Sequence, residues 1–197
     1  RHLGDGQVPT ALIKTAITIN ISNTNITDLT GIEDFLALTT LEASNNNLST
    51  IDLSANVALQ ELDLALNPLT SLDVSNNTQL THVDLHNNSN LTTLSLTNNS
   101  LLETLDAEGS GLTSIIFGTT HPNLTTLELA FSDLIELDLS NLTALETVYL
   151  LNNDLNTLNL KNGNNTNISS INLQGNSNLT CVLVDDAAYS TTNWTAI

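Results

Sequence analysis

From Leu38 onward, apolar residues recur in a fixed phrase, L-x-x-L-x-L-x-x-N-x, followed at once by a second copy of nearly the same phrase. Long lines begin at Leu38, Leu59, Leu80, Leu102, Leu124, Leu145 and Ile168. Each divides at a second start, at Leu48, Leu69, Leu91, Leu112, Leu134, Leu155 and Leu179. A full unit therefore takes about 21 to 23 residues, and self-similarity at such a period marks a repeat architecture. The central L-x-L has period two, so its apolar side chains share one face of a short strand and the residue between them points the other way.

One unit cannot bury three apolar side chains per half against itself, but stacked units bury them against the turns above and below. Each fully buried Leu, Ile or Val contributes roughly 1.5–3 kcal/mol, which offsets the backbone entropy of a chain with few long helices. Because both halves carry L-x-L, the pattern predicts a mainly β solenoid with short parallel strands on two opposite sides. It is expected to be fairly straight and to have little helix. Short helices are expected near Val8–Thr15 and Asp185–Ser190, where the phrase fails. Asn at the ninth place, as in Asn46, Asn67 and Asn88, suits the bend because its amide bonds backbone groups left unpaired there. Ser110 and Ser132 take that place in later turns and interrupt the ladder. The chain reads as one domain, 1–197, with an N-terminal segment 1–15, a repeat array 16–178 and a closing cap 179–197.

The stretch LTSLDVSNNTQLTHVDLHNN (69–88) resembles a bacterial leucine-rich repeat with nested halves of 10 and 11 residues. ITDLTGIEDFLALTTLEASNNNLSTIDLS (26–54) and SNLTCVLVDDAAYSTTNW (177–194) resemble the first coil and closing cap of secreted or cell-surface leucine-rich repeat proteins of Bacteroidetes. The resemblance implies a right-handed coil of about eight turns, a noncatalytic binding role, and a place outside the cell. Cysteine is common at the sixth place of that family's lines. This chain has Ala43, Leu64, Leu85, Ala107, Leu129, Leu150 and Leu173 there, which argues against a thiol role.

Composition narrows the partners. The 197 residues include 21 acidic and three basic ones, Arg1, Lys14 and Lys161, for a formal charge of −18. Nucleic acid is excluded as a partner because phosphate binding needs a basic footprint, and no apolar run approaches the roughly 18 to 20 residues that span a bilayer. The opening RHLGDGQ fits none of the repeat, and no signal-peptide pattern begins the chain, so the sequence reads as a mature or excised piece. Cys181 is the only cysteine, so stability rests on packing and not on disulfides.

In a stacked solenoid, equivalent outward positions form columns with neighbours about 4.8 Å apart. The fifth place of the first half reads Glu42, Asp63, Asp84, Asp106, Glu128, Tyr149, Asn172. At about 5 Å in water, repulsion between neighbouring carboxylates is only on the order of 0.8 kcal/mol, so a solvated face accommodates this stripe. The alternative is a face for a basic or cation-bridged partner, since carboxylates are the ligands calcium prefers. Of the stripe, Asp63, Asp84, Asp106 and Glu128 are the candidate ligand-binding acids.

THVDLHNN (81–88) places His82, Asp84 and His86 at alternate positions and makes them a candidate metal set. Strand geometry separates the two histidines by about 14 Å of backbone, so a site would combine one histidine with Asp84 and an acid of a neighbouring turn. Beyond a weak divalent cation such as calcium, no cofactor is expected.

Phe131, Tyr149 and Leu151 form a candidate apolar contact patch, notable in a chain with three Phe, two Tyr and one Trp. An inward turn of Phe131 is the alternative. The many Asn-x-Ser/Thr sequons follow from the repeat phrase and do not imply glycosylation.

These features together read as an extracellular, noncatalytic module that recognises a protein or glycan through an acidic, partly aromatic sheet face. The alternatives are a rigid spacer in a larger secreted protein and a carbohydrate-active enzyme using paired acids.

Overall fold

The computed structural model describes residues 13–194, where the repeated phrase becomes a stack of short strands joined by tight bends. Numbered in chain order, β1 (Thr18–Asn20), β2 (Thr40–Glu42), β3 (Glu61–Asp63), β4 (His82–Asp84), β6 (Thr104–Asp106), β8 (Thr126–Glu128), β10 (Thr147–Tyr149) and β12 (Ser170–Asn172) form one eight-stranded parallel sheet. Each turn contributes one strand, and the first side of the solenoid is a continuous ladder.

The second side differs from the expected matching sheet. There β5 (Thr93–Leu96) pairs with β7 (Ser114–Phe117), while β9 (Glu136–Asp138), β11 (Thr157–Asn159) and β13 (Cys181–Leu183) form a separate three-stranded sheet. The equivalent segments 51–53 and 72–74 form no ladder. Isolated bonds, such as the Thr70 amide to the Ser49 carbonyl at 3.0 Å, join the turns there. On the first side, backbone pairing continues beyond the strands: the amides of Ala43, Leu64, Leu85, Ala107, Leu129 and Leu150 each donate to a carbonyl of the next turn.

The interior is the leucine column that the phrase specifies. Leu80, Val83 and Leu85 are 0%, 3% and 0% exposed, and equivalent residues are buried from Leu38 to Leu173 in one continuous core. At the C-terminal end, α1 (Ala187–Asn193) starts two residues later than expected. Asp186 caps it, accepting from the amides of Ala188 and Tyr189, and Trp194 is buried beside it. The helix expected near Val8–Thr15 lies largely outside the described residues. Among the described residues, no helix is long and apolar enough to cross a membrane.

Two buried polar ladders stitch the turns together. On the first side, Asn67 donates to the carbonyls of Leu64 and Ala43, both at 3.0 Å, and its Oδ1 accepts from the Leu48 amide, also at 3.0 Å. Asn88 and Asn153 repeat the arrangement. Ser110 and Ser132 interrupt it as expected, bonding each other at 2.9 Å. The second side carries a ladder of Asn56, Asn77 and Asn99 that continues into His121.

Candidate functional site

Strand register places the fifth-place residues in one line. Glu42 pairs with Asp63, Asp63 with Asp84, Asp84 with Asp106, Asp106 with Glu128, Glu128 with Tyr149, and Tyr149 with Asn172. All are half-buried. The acids also have a local duty. Oδ1 of Asp63, Asp84 and Asp106 accepts the backbone amide two residues on, from Ala65, His86 and Glu108, at 2.9–3.0 Å. This side-chain turn lets the chain leave the strand and bend. Asn20 and Asn172 make the same bond without a charge, so the turn explains a short oxygen-bearing side chain but not the carboxylate.

Stacking carboxylates raises the energy of their charged forms. Burial pushes the Asp106 carboxyl above its usual range, with the charge of Asp84 adding to it, against the Glu108 amide and His86. Glu128 is raised by burial and then by Asp106, Glu108 and Asp84. Burial is the largest influence on His86 and acts downward. The hydrogen bond and charge of Asp84, together with Asp106 and Asp63, outweigh it and raise the imidazole above its ordinary value.

The structure separates the histidines as strand geometry requires. His86 Nδ1 lies 2.8 Å from Asp84 Oδ1, whereas His82 Nδ1 lies 2.9 Å from Thr81 Oγ1. Asp84, His86 and Asp106 bring one ligand atom each within 4.8 Å of one another. The third member thus comes from the adjacent strand. A shallow depression of about 490 Å³ covers this region, bounded by Glu61, Asp63, His82, Asp84, Asp106 and Glu128 among others.

Beyond the acids, the chain bends through a left-handed residue in turn after turn: Asn23, Asn45, Leu66, Asn87, Gly109, Phe131, Asn152 and Gly175 all have positive φ. From Asn23 to Asn152 each is tied to the next turn, for example by the Asn45 amide to the Ala65 carbonyl at 2.9 Å and the Phe131 amide to the Leu151 carbonyl at 2.8 Å. Asn and Gly tolerate this conformation. Leu66 (φ 55) and Phe131 (φ 54) do not suit it, yet their side chains are 45% and 50% exposed. Phe131 therefore points outward. Leu151 is half-buried one turn along, and the Tyr149 hydroxyl meets Ser170 Oγ at 2.8 Å.

Leu66 escaped the sequence reading because its neighbours DLALN (63–67) fit the apolar phrase; its sign in the sequence is a leucine where other turns carry Asn or Gly. His121 escaped as well, since the inserted bend GTTHPN (118–123) hides that it continues the Asn56, Asn77, Asn99 ladder. Its imidazole is fully buried, with Nε2 3.1 Å from the Leu96 carbonyl. Burial holds its pKa below the ordinary value, against that hydrogen bond.

No protein-family model and no curated protein matches the sequence. Solved structures do match. Internalin C2 from Listeria monocytogenes aligns over 90% of this chain and 84% of its own, with TM-score 0.73 and 22% identity. The leucine-rich repeat domain of APL1B aligns over 88% of this chain and 58% of its own, with TM-score 0.65 and 25% identity. A chain of the LRIM1/APL1C complex gives TM-score 0.62 at 25% identity, over 86% of this chain and 30% of that one. The fold is that of a leucine-rich repeat solenoid.

Proposed function

We propose that this chain is a noncatalytic binding module that recognises a protein through the outer face of its eight-stranded sheet, displayed outside the cell as the sequence resemblance implies. The observation that carries the reading is the in-register column Glu42, Asp63, Asp84, Asp106, Glu128 on the one unbroken sheet. Asn makes the same turn bond, so carboxylates retained there, with Asp106 and Glu128 held above their usual range, serve an external positive charge. A solenoid with one strand per turn presents such a surface without a pocket. The LRIM1/APL1C neighbour is itself part of a protein complex.

The test is an array of purified extracellular proteins and glycans probed with wild type and with Asp63→Asn/Asp84→Asn/Asp106→Asn. Protein hits that weaken in high salt and disappear in the variant, at unchanged melting temperature, are expected. Glycan hits alone, or hits indifferent to the variant, overturn the reading. No hits at all would favour a spacer, and polysaccharide hydrolysis lost in Asp84→Asn/Asp106→Asn would replace the binding role with an enzymatic one.

A second reading rests on the convergence of Asp84, His86 and Asp106: a divalent cation bridges this face to its partner. An imidazole beside carboxylates suits zinc better than calcium. Calorimetry with each ion in physiological salt should show zinc heat that Asp106→Asn abolishes; no heat and no melting shift with either ion would exclude the bridge.

A further inference from the structure

Two turns break the rim rule in the same way. DLALN (63–67) and ELAFS (128–132) each supply an acid of the column, a buried alanine and an exposed apolar side chain at the left-handed position: Asp63, Ala65 and Leu66, then Glu128, Ala130 and Phe131. Ala65 and Ala130 are 1% and 4% exposed although their place in other turns holds His86, Glu108 or Leu151. Bulky residues at positive φ persist only where something offsets the strain, and such outliers gather at functional sites. Half-exposed apolar side chains there bring little packing in return.

Asn87 and Gly109 occupy the rim between them. A Cβ at Gly109 would lie 2.5 Å from Asn87 Oδ1, so the Asn87 side chain lies over that glycine. Leu66 and Phe131 stand three turns apart, or about 14 Å at the usual strand spacing. That is the span of about four residues in an extended peptide, and residues four apart project from the same side.

We infer that the rim is a two-point docking site for a basic, extended polypeptide segment, which sets apolar side chains about four residues apart on Leu66 and Phe131 and turns intervening lysines or arginines toward the acid column. The choice of occupant follows from charge. Between and beside the two apolar points lie Asp63, Asp84, Asp106 and Glu128, on a chain whose formal charge is −18. An acidic or neutral segment gains nothing from that column. The inference rests on the sheet-face reading above and names the partner class and the residues that discriminate it.

The probe is a fluorescein-labelled synthetic peptide with leucines four positions apart and lysines between and outside them, read by anisotropy. Controls place the leucines two apart or exchange every lysine for glutamate. Wild type should bind the first peptide, and both controls should bind at least about tenfold more weakly, the loss typical of a removed anchor. Leu66→Asn/Phe131→Asn installs the ordinary rim residue, so it should fold with cooperative melting and lose binding by a similar factor.

Equal binding of the variant, with loss in Asp63→Asn/Asp84→Asn/Asp106→Asn, overturns the rim site and leaves the acidic face standing. Binding that neither variant changes overturns both. Failure of every lysine peptide to bind overturns the rim inference, and the protein array then decides the face on its own.

Discussion

At the scale of single residues, His121 is the clearest departure from the repeat. Nε2 donates to the Leu96 carbonyl in the way Asn77 and Asn99 donate to Leu53 and Val74, while Nδ1 has no partner among the described residues. Protonation would bury an N–H with no acceptor, at a cost of about 1–3 kcal/mol or more for a charged group. Since the folded pKa is lowered from the ordinary value near 6.5, this residue's full stability is present above about pH 6.5 and lost as pH falls through that window. Melting curves from about pH 8 to about pH 5.5 should show this loss in wild type and a smaller one in His121→Asn, which keeps the Leu96 bond. Asp106 and Glu128 act in the opposite sense. Their pKa values are raised, so lower pH relieves a folded-state penalty only once it reaches the carboxylate range. On the same face His86 is raised as well, and its charging weakens the pull on a cationic peptide. Affinity for the lysine peptide should therefore fall between about pH 8 and about pH 6, and His86→Gln should flatten that profile.

At the scale of one turn, the buried asparagines carry more than their own packing. Asn67 satisfies the carbonyls of Leu64 and Ala43 and the amide of Leu48 at once. Its removal leaves the buried Leu48 amide unpaired and takes one of two asparagine donors from each carbonyl, since Asn46 still donates to Ala43 and Asn88 to Leu64. Asn67→Ala should cost about 2 kcal/mol in urea unfolding, within the roughly 1–3 kcal/mol of one orphaned buried amide. A loss under about 0.5 kcal/mol would mean that the leucine interior alone sets the bend. The second-side strands are fewer and broken between β7 and β9, so hydrogen exchange should be faster at 51–53 and 72–74 than at β2 and β3 of the same turns.

For the whole molecule, stability is distributed over contacts between neighbouring turns, and the unit can be shortened without losing its principle. Deleting residues 80–101 removes one turn, from one long-line start to the next. The shortened chain should keep β-type circular dichroism and cooperative melting, with Leu66 and Phe131 two turns apart, about 10 Å. The peptide with leucines four apart should then bind at least about tenfold more weakly although both apolar residues remain; undiminished binding would refute the spacing argument. The charge of −18 also acts at this scale, and melting temperature should rise from about 20 mM to about 500 mM sodium chloride as self-repulsion is screened.

The repeat, the buried L-x-L faces, the first-side Asn ladder with its break at Ser110 and Ser132, and the line of acids were all legible in the sequence. Each follows from periodicity, and periodicity survives without coordinates because one turn is stacked on the next in register. What only the tertiary structure decided were departures from the period. Hydrogen-bond geometry determined that the second side breaks into two sheets, and φ determined that Leu66 and Phe131 occupy a strained bend with their side chains outward. Proximity across turns paired Asp106 with Asp84 and His86 and placed His121 in a ladder of asparagines. Sequence spacing reports which residues share a face; backbone conformation and distances between chains distant in sequence are set by the packed solenoid.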